Sequence, residues 1–103
     1  MIDLEREHLE QIKQILQHHI PGYEVRVFGS RISGKAEKYA DLDLVIMVEN
    51  QLGIELIGLL KDTFALSQLP FVVDVAQWVT LPEFLKEQIT ENSVVIQNPR
   101  SRK

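Results

Sequence analysis

The chain has 103 residues, 45% of them hydrophobic and 25% charged, with a formal net charge of −4 and no cysteine. That length supports one domain around one core, and the missing cysteines exclude disulfides, thiolate metal sites and thiol nucleophiles together. The acidic balance argues against general nucleic-acid binding, which depends on many Lys/Arg–phosphate contacts.

The first eight residues are charged and lack an apolar centre, so no secretory leader is expected. No apolar run approaches the roughly 20 residues that span a bilayer, so no membrane contact is expected and the cytoplasm is the default location. Leu9, Ile12, Ile15, Leu16 and Ile20 recur at helical spacing. They predict an amphipathic helix over about 3–19, with Asp3 as N-cap, Glu5 and Glu7 in the first turn and Pro21-Gly22 as the stop. Residues 23–28 alternate like a strand, and Gly29 breaks it. Ser30 is then placed to cap a short helical turn reaching Ser33-Gly34.

A second strand is predicted at 42–48, a long helix at 52–67 ending near Leu69-Pro70, and a third strand at 71–77. Thr80-Leu81-Pro82-Glu83 has the form of a capping box and opens a helix running to about Glu91. Val94-Val95-Ile96 reads as a last short strand or a docking segment. The order α-β-(short α)-β-α-β-α gives an α/β (α+β) domain over residues 1–98. Residues 99–103, with Arg100-Ser101-Arg102-Lys103, read as a flexible basic tail.

The chemistry lies in two of the breaks. Asp41 and Asp43 open the second apolar run and point to one face of a strand, while Leu42 and Leu44 point into the core. Paired carboxylates repel unless a cation lies between them, and hard oxygen donors without His or Cys favour Mg²⁺, with Mn²⁺ as a substitute. Asp74 stands alone in Phe71-Val72-Val73-Asp74-Val75, where burial of an uncompensated carboxylate costs several kcal/mol. A neighbouring strand bringing it to the pair would give three carboxylates around two ions. Taken singly, each feature has a plainer account: a loop Asp-x-Asp, a hydrogen-bonded structural carboxylate, and a serine-capped turn.

Gly29-Ser30, ten residues, then Asp41-Leu42-Asp43 resembles the signature of the DNA polymerase β-like nucleotidyltransferase superfamily. The Gly-Ser-Arg version, the short chain and the Asp74 strand are most similar to the minimal nucleotidyltransferases (MNT proteins), typically encoded beside a HEPN-domain protein. The resemblance covers nearly the whole chain and implies a small mixed sheet flanked by helices. It implies that Gly29 and Ser30 hold the triphosphate, and that Asp41, Asp43 and Asp74 bind two Mg²⁺ ions and carry catalysis. In that superfamily the third carboxylate also helps deprotonate the incoming hydroxyl. Physics supports the turn, because backbone N–H groups at a helix start favour phosphate oxygens. Arg31 is placed to add a bidentate donor to the same phosphates, or is simply a solvated arginine. Lys35 and Lys38 read more simply as solubilising. Ala40 departs from the serine many relatives carry before the first aspartate, which puts a turn hydrogen bond in doubt, not a ligand.

His18-His19 reads as a helix cap, His8 lies on a polar face, and Trp78 and Tyr39 are candidates for base stacking or packing. Gly34-Lys35 lacks the rest of a P-loop. The domain is too small to hold an acceptor as well as a triphosphate, so the acceptor is expected to arrive with a partner. The resemblance implies transfer of AMP from ATP to a hydroxyl, presumed tyrosine, of a HEPN toxin, in a type VII-like toxin–antitoxin pair. The alternatives are a non-catalytic antitoxin that occludes its partner, and an aminoglycoside-type adenylyltransferase. The helix at 52–67 carries more apolar residues than one core stripe requires, through deep burial or an oligomer or hetero-oligomer contact.

Overall fold

A computed structural model describes residues 2–34, 36, 37 and 39–99. Lys35, Lys38 and the basic tail 100–103 lie outside the described residues. The elements are α1 (Arg6–His19), β1 (Val25–Phe28), α2 (Ser30–Ser33), β2 (Leu42–Ile46), α3 (Ile54–Ala65) and β3 (Val73–Gln77). A 3-10 turn at Trp78–Thr80 leads to α4 (Glu83–Glu91) and β4 (Val94–Gln97). The last apolar segment is thus a strand.

The four strands form one mixed sheet in the order β3-β2-β1-β4. β1 runs antiparallel to both β2 and β4, while β2 and β3 are parallel and joined through α3. A parallel pair needs a long crossover, and α3 supplies it. Strand alternation sends Val25, Val27, Leu42, Leu44 and Ile46 to one face, where they pack with Ile12 and Leu16 of α1 and Ile57, Leu60 and Phe64 of α3. Gln97 ties β4 to the segment after α1: its Nε2 donates to the Ile20 and Tyr23 carbonyls at 2.8 and 2.9 Å.

Neither the Asp3 cap nor the Thr80 capping box forms. Asp3 lies outside α1, whose N-cap is Glu5, and its backbone N–H donates to the Arg31 carbonyl at 2.8 Å. Thr80 does not cap α4; its hydroxyl bonds the Gln77 carbonyl at 3.1 Å, and Pro82 takes the N-cap position. At Thr80 a turn partner takes the hydroxyl that the cap would need. The apolar excess of α3 is divided: Ile57, Leu60 and Phe64 are buried, whereas Ile54 and Leu59 face solvent. No described helix is long and apolar enough to cross a membrane.

Candidate active site

The sheet face opposite α1 and α3 carries the carboxylates. Phe28 pairs with Asp43, and Asp43 pairs with Asp74, so the three side chains form one row across β1, β2 and β3. Neighbouring strands lie roughly 4.8 Å apart, which makes Asp43 and Asp74 immediate neighbours on that face. Asp41 stands two residues before Asp43, on the same side of the chain and just ahead of β2.

Burial is distributed differently from expectation. Asp74 is exposed, because β3 is the outermost strand and α3 covers only its other face. Asp43 on the inner strand is the half-buried carboxylate. Its pKa is raised by desolvation first, then by the charge of Asp74, then by that of Asp41. The cost of an unbalanced negative charge therefore concentrates on Asp43. Three carboxylates and no nitrogen or sulfur donor suit a hard divalent cation. Among the described residues no trio of His, Cys, Asp or Glu is already drawn into an ion-holding cage.

Gly29 ends β1 with φ 86° and ψ −152°, a region essentially restricted to glycine. A Cβ there would collide with Asp43 Oδ2. The turn and the carboxylate are in contact, although fourteen residues separate them in sequence. Gly29, not Ser30, is the N-cap of α2, and its carbonyl accepts from Ile32 and Ser33 N–H at 3.0 and 3.1 Å. Ser30 is the first residue of α2, and its hydroxyl makes no hydrogen bond among the described residues. The plain serine-cap account of this position is thereby removed.

Arg31 is neither solvated nor turned to a phosphate. It is 6% exposed, with Nε and Nη2 donating to the Ala40 carbonyl at 3.2 and 2.9 Å and Nη1 to the Asp3 carbonyl at 2.8 Å. Its guanidinium lies 4.5 Å from the centre of the Phe71 ring, whose edge contact with His8 spans 5.6 Å. Arg31 therefore braces the Gly-Ser turn against the residue before Asp41 and the segment leading to β3. In this structure the side chain expected to meet phosphate instead holds these segments together. Nothing in the sequence pattern distinguished the two, because the carbonyls it serves are remote in the chain.

The remaining candidates lie elsewhere. His19 Nε2 meets Thr63 Oγ1 at 2.9 Å, joining α1 to α3 rather than capping α1. The Thr63 hydroxyl donates to the Leu59 carbonyl at 2.8 Å, so its oxygen accepts the His19 Nε2–H and leaves Nδ1 bare and buried. Trp78 is half-buried with Lys86 Nζ 5.4 Å from its ring centre, and Tyr39 is exposed. A cleft of about 310 Å³ adjoins Gly29 and Phe28 beneath the end of α4. A roomier one of about 720 Å³ between α1 and β4 contains no carboxylate, so volume does not mark the site.

A glycine turn pressed against the central carboxylate of a cross-strand acidic row is the arrangement that the sequence comparison explains. The family model "Polymerase beta, Nucleotidyltransferase" matches residues 10–101. The chain belongs to that nucleotidyltransferase family. It is 45% identical over 96 residues, 93% of its length and 84% of the relative's, to the probable protein adenylyltransferase MntA of Haemophilus influenzae. Its fold matches a crystal structure of a toxin–antitoxin with AMP-PNP, with a TM-score of 0.72 at 21% identity, covering 87% of this chain and 73% of that one. A second match is a tri-AMPylated Shewanella oneidensis HEPN toxin in complex with MNT antitoxin, with a TM-score of 0.68 at 18% identity, covering 94% of this chain and 75% of that one. The mixed sheet flanked by helices is thus the polymerase β-like core, and the chain is a nucleotidyltransferase.

Proposed function

We propose that this nucleotidyltransferase is a cytoplasmic protein adenylyltransferase that transfers AMP from ATP to a tyrosine hydroxyl of a partner HEPN-domain toxin, and so acts as its antitoxin. The observation that carries the chemistry is the in-register pair Asp43–Asp74, joined by Asp41 and pressed against the Gly29 turn. The acceptor class is supported by the relationship to the Haemophilus influenzae protein, whose description is that of a probable protein adenylyltransferase. The HEPN partner is supported by the likeness to the Shewanella oneidensis complex.

In this reading the Gly29–Ser30 turn holds the triphosphate through backbone N–H groups and the Ser30 hydroxyl. Asp41, Asp43 and Asp74 would hold two Mg²⁺ ions, with Mn²⁺ as a substitute, and these would supply charge neutralisation at the phosphates. The acceptor oxygen forms a bond to the α-phosphorus, the α–β bridging oxygen departs with pyrophosphate, and the hydroxyl proton passes to a carboxylate oxygen of Asp74. Exposure of Asp74 suits that last role, since the acceptor must reach it from outside. Arg31 touches no reactant; it holds the turn, Ala40 and the β3 lead-in together.

The test is incubation with labelled ATP, Mg²⁺ and the HEPN-domain protein encoded beside this chain. Label should appear on a partner tyrosine and vanish with Asp41→Asn/Asp43→Asn. Unchanged labelling by that variant would refute the chemistry. Protection from the toxin by the unlabelling variant would establish occlusion in its place. Turnover on an aminoglycoside with no protein partner would establish the small-molecule reading.

A further inference from the structure

The parallel register fixes which backbone groups of β3 face outward. Leu42 N–H donates to the Val72 carbonyl at 2.9 Å, and Leu42 pairs with Val73. In a parallel ladder the N–H and C=O of one residue point to the same side and alternate along the strand. Val72, Asp74 and Ala76 therefore bond β2, while the amides and carbonyls of Val73 and Val75 point out of the sheet. No hydrogen bond among the described residues reaches those four groups. β3 is thus an open edge of the sheet, and it is the edge that carries Asp74. The other edge, β4, lies two strands away from Asp43.

We propose that the outer edge of β3 is the acceptor's seat: an extended segment of the partner polypeptide joins the sheet there as a fifth strand. The residue falling beside Asp74 carries the hydroxyl that receives the nucleotide. This rests on the acceptor being a protein. A strand joining antiparallel through Val73 and Val75 leaves Asp74 in a non-hydrogen-bonded pair, where Cα atoms are only about 4.5 Å apart and side chains approach most closely. The row Phe28–Asp43–Asp74 then continues into the acceptor residue on the same face.

The residues flanking the acceptor point to the opposite face, with Val73 and Val75. There a cleft of about 520 Å³ lies beside the edge, lined in part by Phe64, Leu69, Phe71 and Val72. Val72 is 60% exposed. The residues on either side of the hydroxyl residue therefore meet a mainly apolar cleft that also presents Lys61. A second copy of this chain paired antiparallel about Asp74 itself, the register the seat requires, would set Asp74 against Asp74, and like charges directly opposed are destabilising.

Hydrogen–deuterium exchange of the full chain, alone and with the co-encoded HEPN-domain protein, tests the seat without needing catalysis. Protection of the Val73 and Val75 amides should rise about tenfold or more in the complex. A complex with those amides unprotected, no complex, or protection through self-association without partner would each overturn it. Val75→Pro removes one outward N–H and spares the ladder to β2. It should cut transfer to the partner about 30-fold or more, while Mg²⁺–AMP-PNP affinity stays within about threefold. A folded Val75→Pro protein transferring at the parent rate would overturn the seat. If that variant does not fold, exchange in the parent chain decides. Protected amides without transfer would sink the adenylyltransferase reading and keep the seat; transfer with unprotected amides would do the reverse.

Discussion

At position 29 a side chain and a catalytic-face carboxylate compete for one volume. Gly29→Ala would place a methyl group against Asp43 Oδ2 in a backbone region that alanine resists. We expect a loss of about 1–3 kcal/mol in denaturant unfolding, and a fall of roughly 10²-fold or more in nucleotidyl transfer as Asp43 is displaced. Gly34→Asn is the control: its left-handed position tolerates asparagine and faces open space. Asp43 itself carries the pH dependence. Its pKa is raised above the ordinary 3.8 by burial, Asp74 and Asp41, so the folded protein holds that proton more tightly than the unfolded chain. The associated stability is fully present below the ordinary value and is lost as pH rises through the raised one. With chelator at neutral pH, Asp43→Asn should therefore melt higher than the parent in a thermal scan. With Mg²⁺ and ATP its transfer rate should fall by about 10²-fold or more, as expected for a lost metal carboxylate. His19 works in the opposite sense: burial and His18 lower its pKa, so its share of stability is present above about 6.5 and is lost as pH falls.

Among the elements, α3 and β3 show how far pattern reading reaches. The helix at 52–67 was legible with its excess of apolar residues, but not which of them are covered. Leu60 is fully buried and Leu59 is 58% exposed. Leu60→Ala should cost about 2–5 kcal/mol in urea unfolding, and Leu59→Ala no more than about 0.5 kcal/mol for the isolated chain. A Leu59 variant that weakens partner binding without that loss of stability would identify the exposed stripe as an interface. β3 was legible as a strand from its β-branched run. Its place at the edge was not, because strand order depends on where α3 returns the chain. That one fact converts Asp74 from a buried charge needing compensation into an exposed group beside an open edge. Neither capping motif formed. The Thr80 hydroxyl turns back to the Gln77 carbonyl three residues away, and Asp3 is held by Arg31, which no local window contains.

On the scale of the whole molecule, α1 and α3 back one face of the sheet, and the acidic row lies on the other, with Asp41 and Asp74 exposed. In the proposed reading that face takes the donor nucleotide, and the acceptor arrives from outside. Ligand that binds only the folded state stabilises it by about 2.7 kcal/mol at a hundredfold excess over Kd, which for a domain of this size is roughly 10 °C or more. Mg²⁺ with AMP-PNP should therefore raise the melting temperature by that order. EDTA should abolish the rise, and Asp43→Asn should not show it. A rise of equal size in EDTA would mean that the carboxylate row takes no part in holding the nucleotide.

The sequence by itself determined the chemistry on offer. The Gly29-Ser30 turn, the Asp41-Leu42-Asp43 pair and the isolated Asp74 carried the family resemblance, and strand periodicity placed the pair on one face. These are local properties, set by backbone sterics and alternation within a few residues. How the pieces divide the work emerges only once the sheet is assembled. The tertiary structure set Asp43 in contact with Gly29, placed the Arg31 guanidinium on the Ala40 and Asp3 carbonyls, and put Asp74 on the outermost strand. Each of those outcomes depends on groups far apart in the chain competing for the same volume or the same hydrogen bond, a contest that is settled only when the sheet assembles.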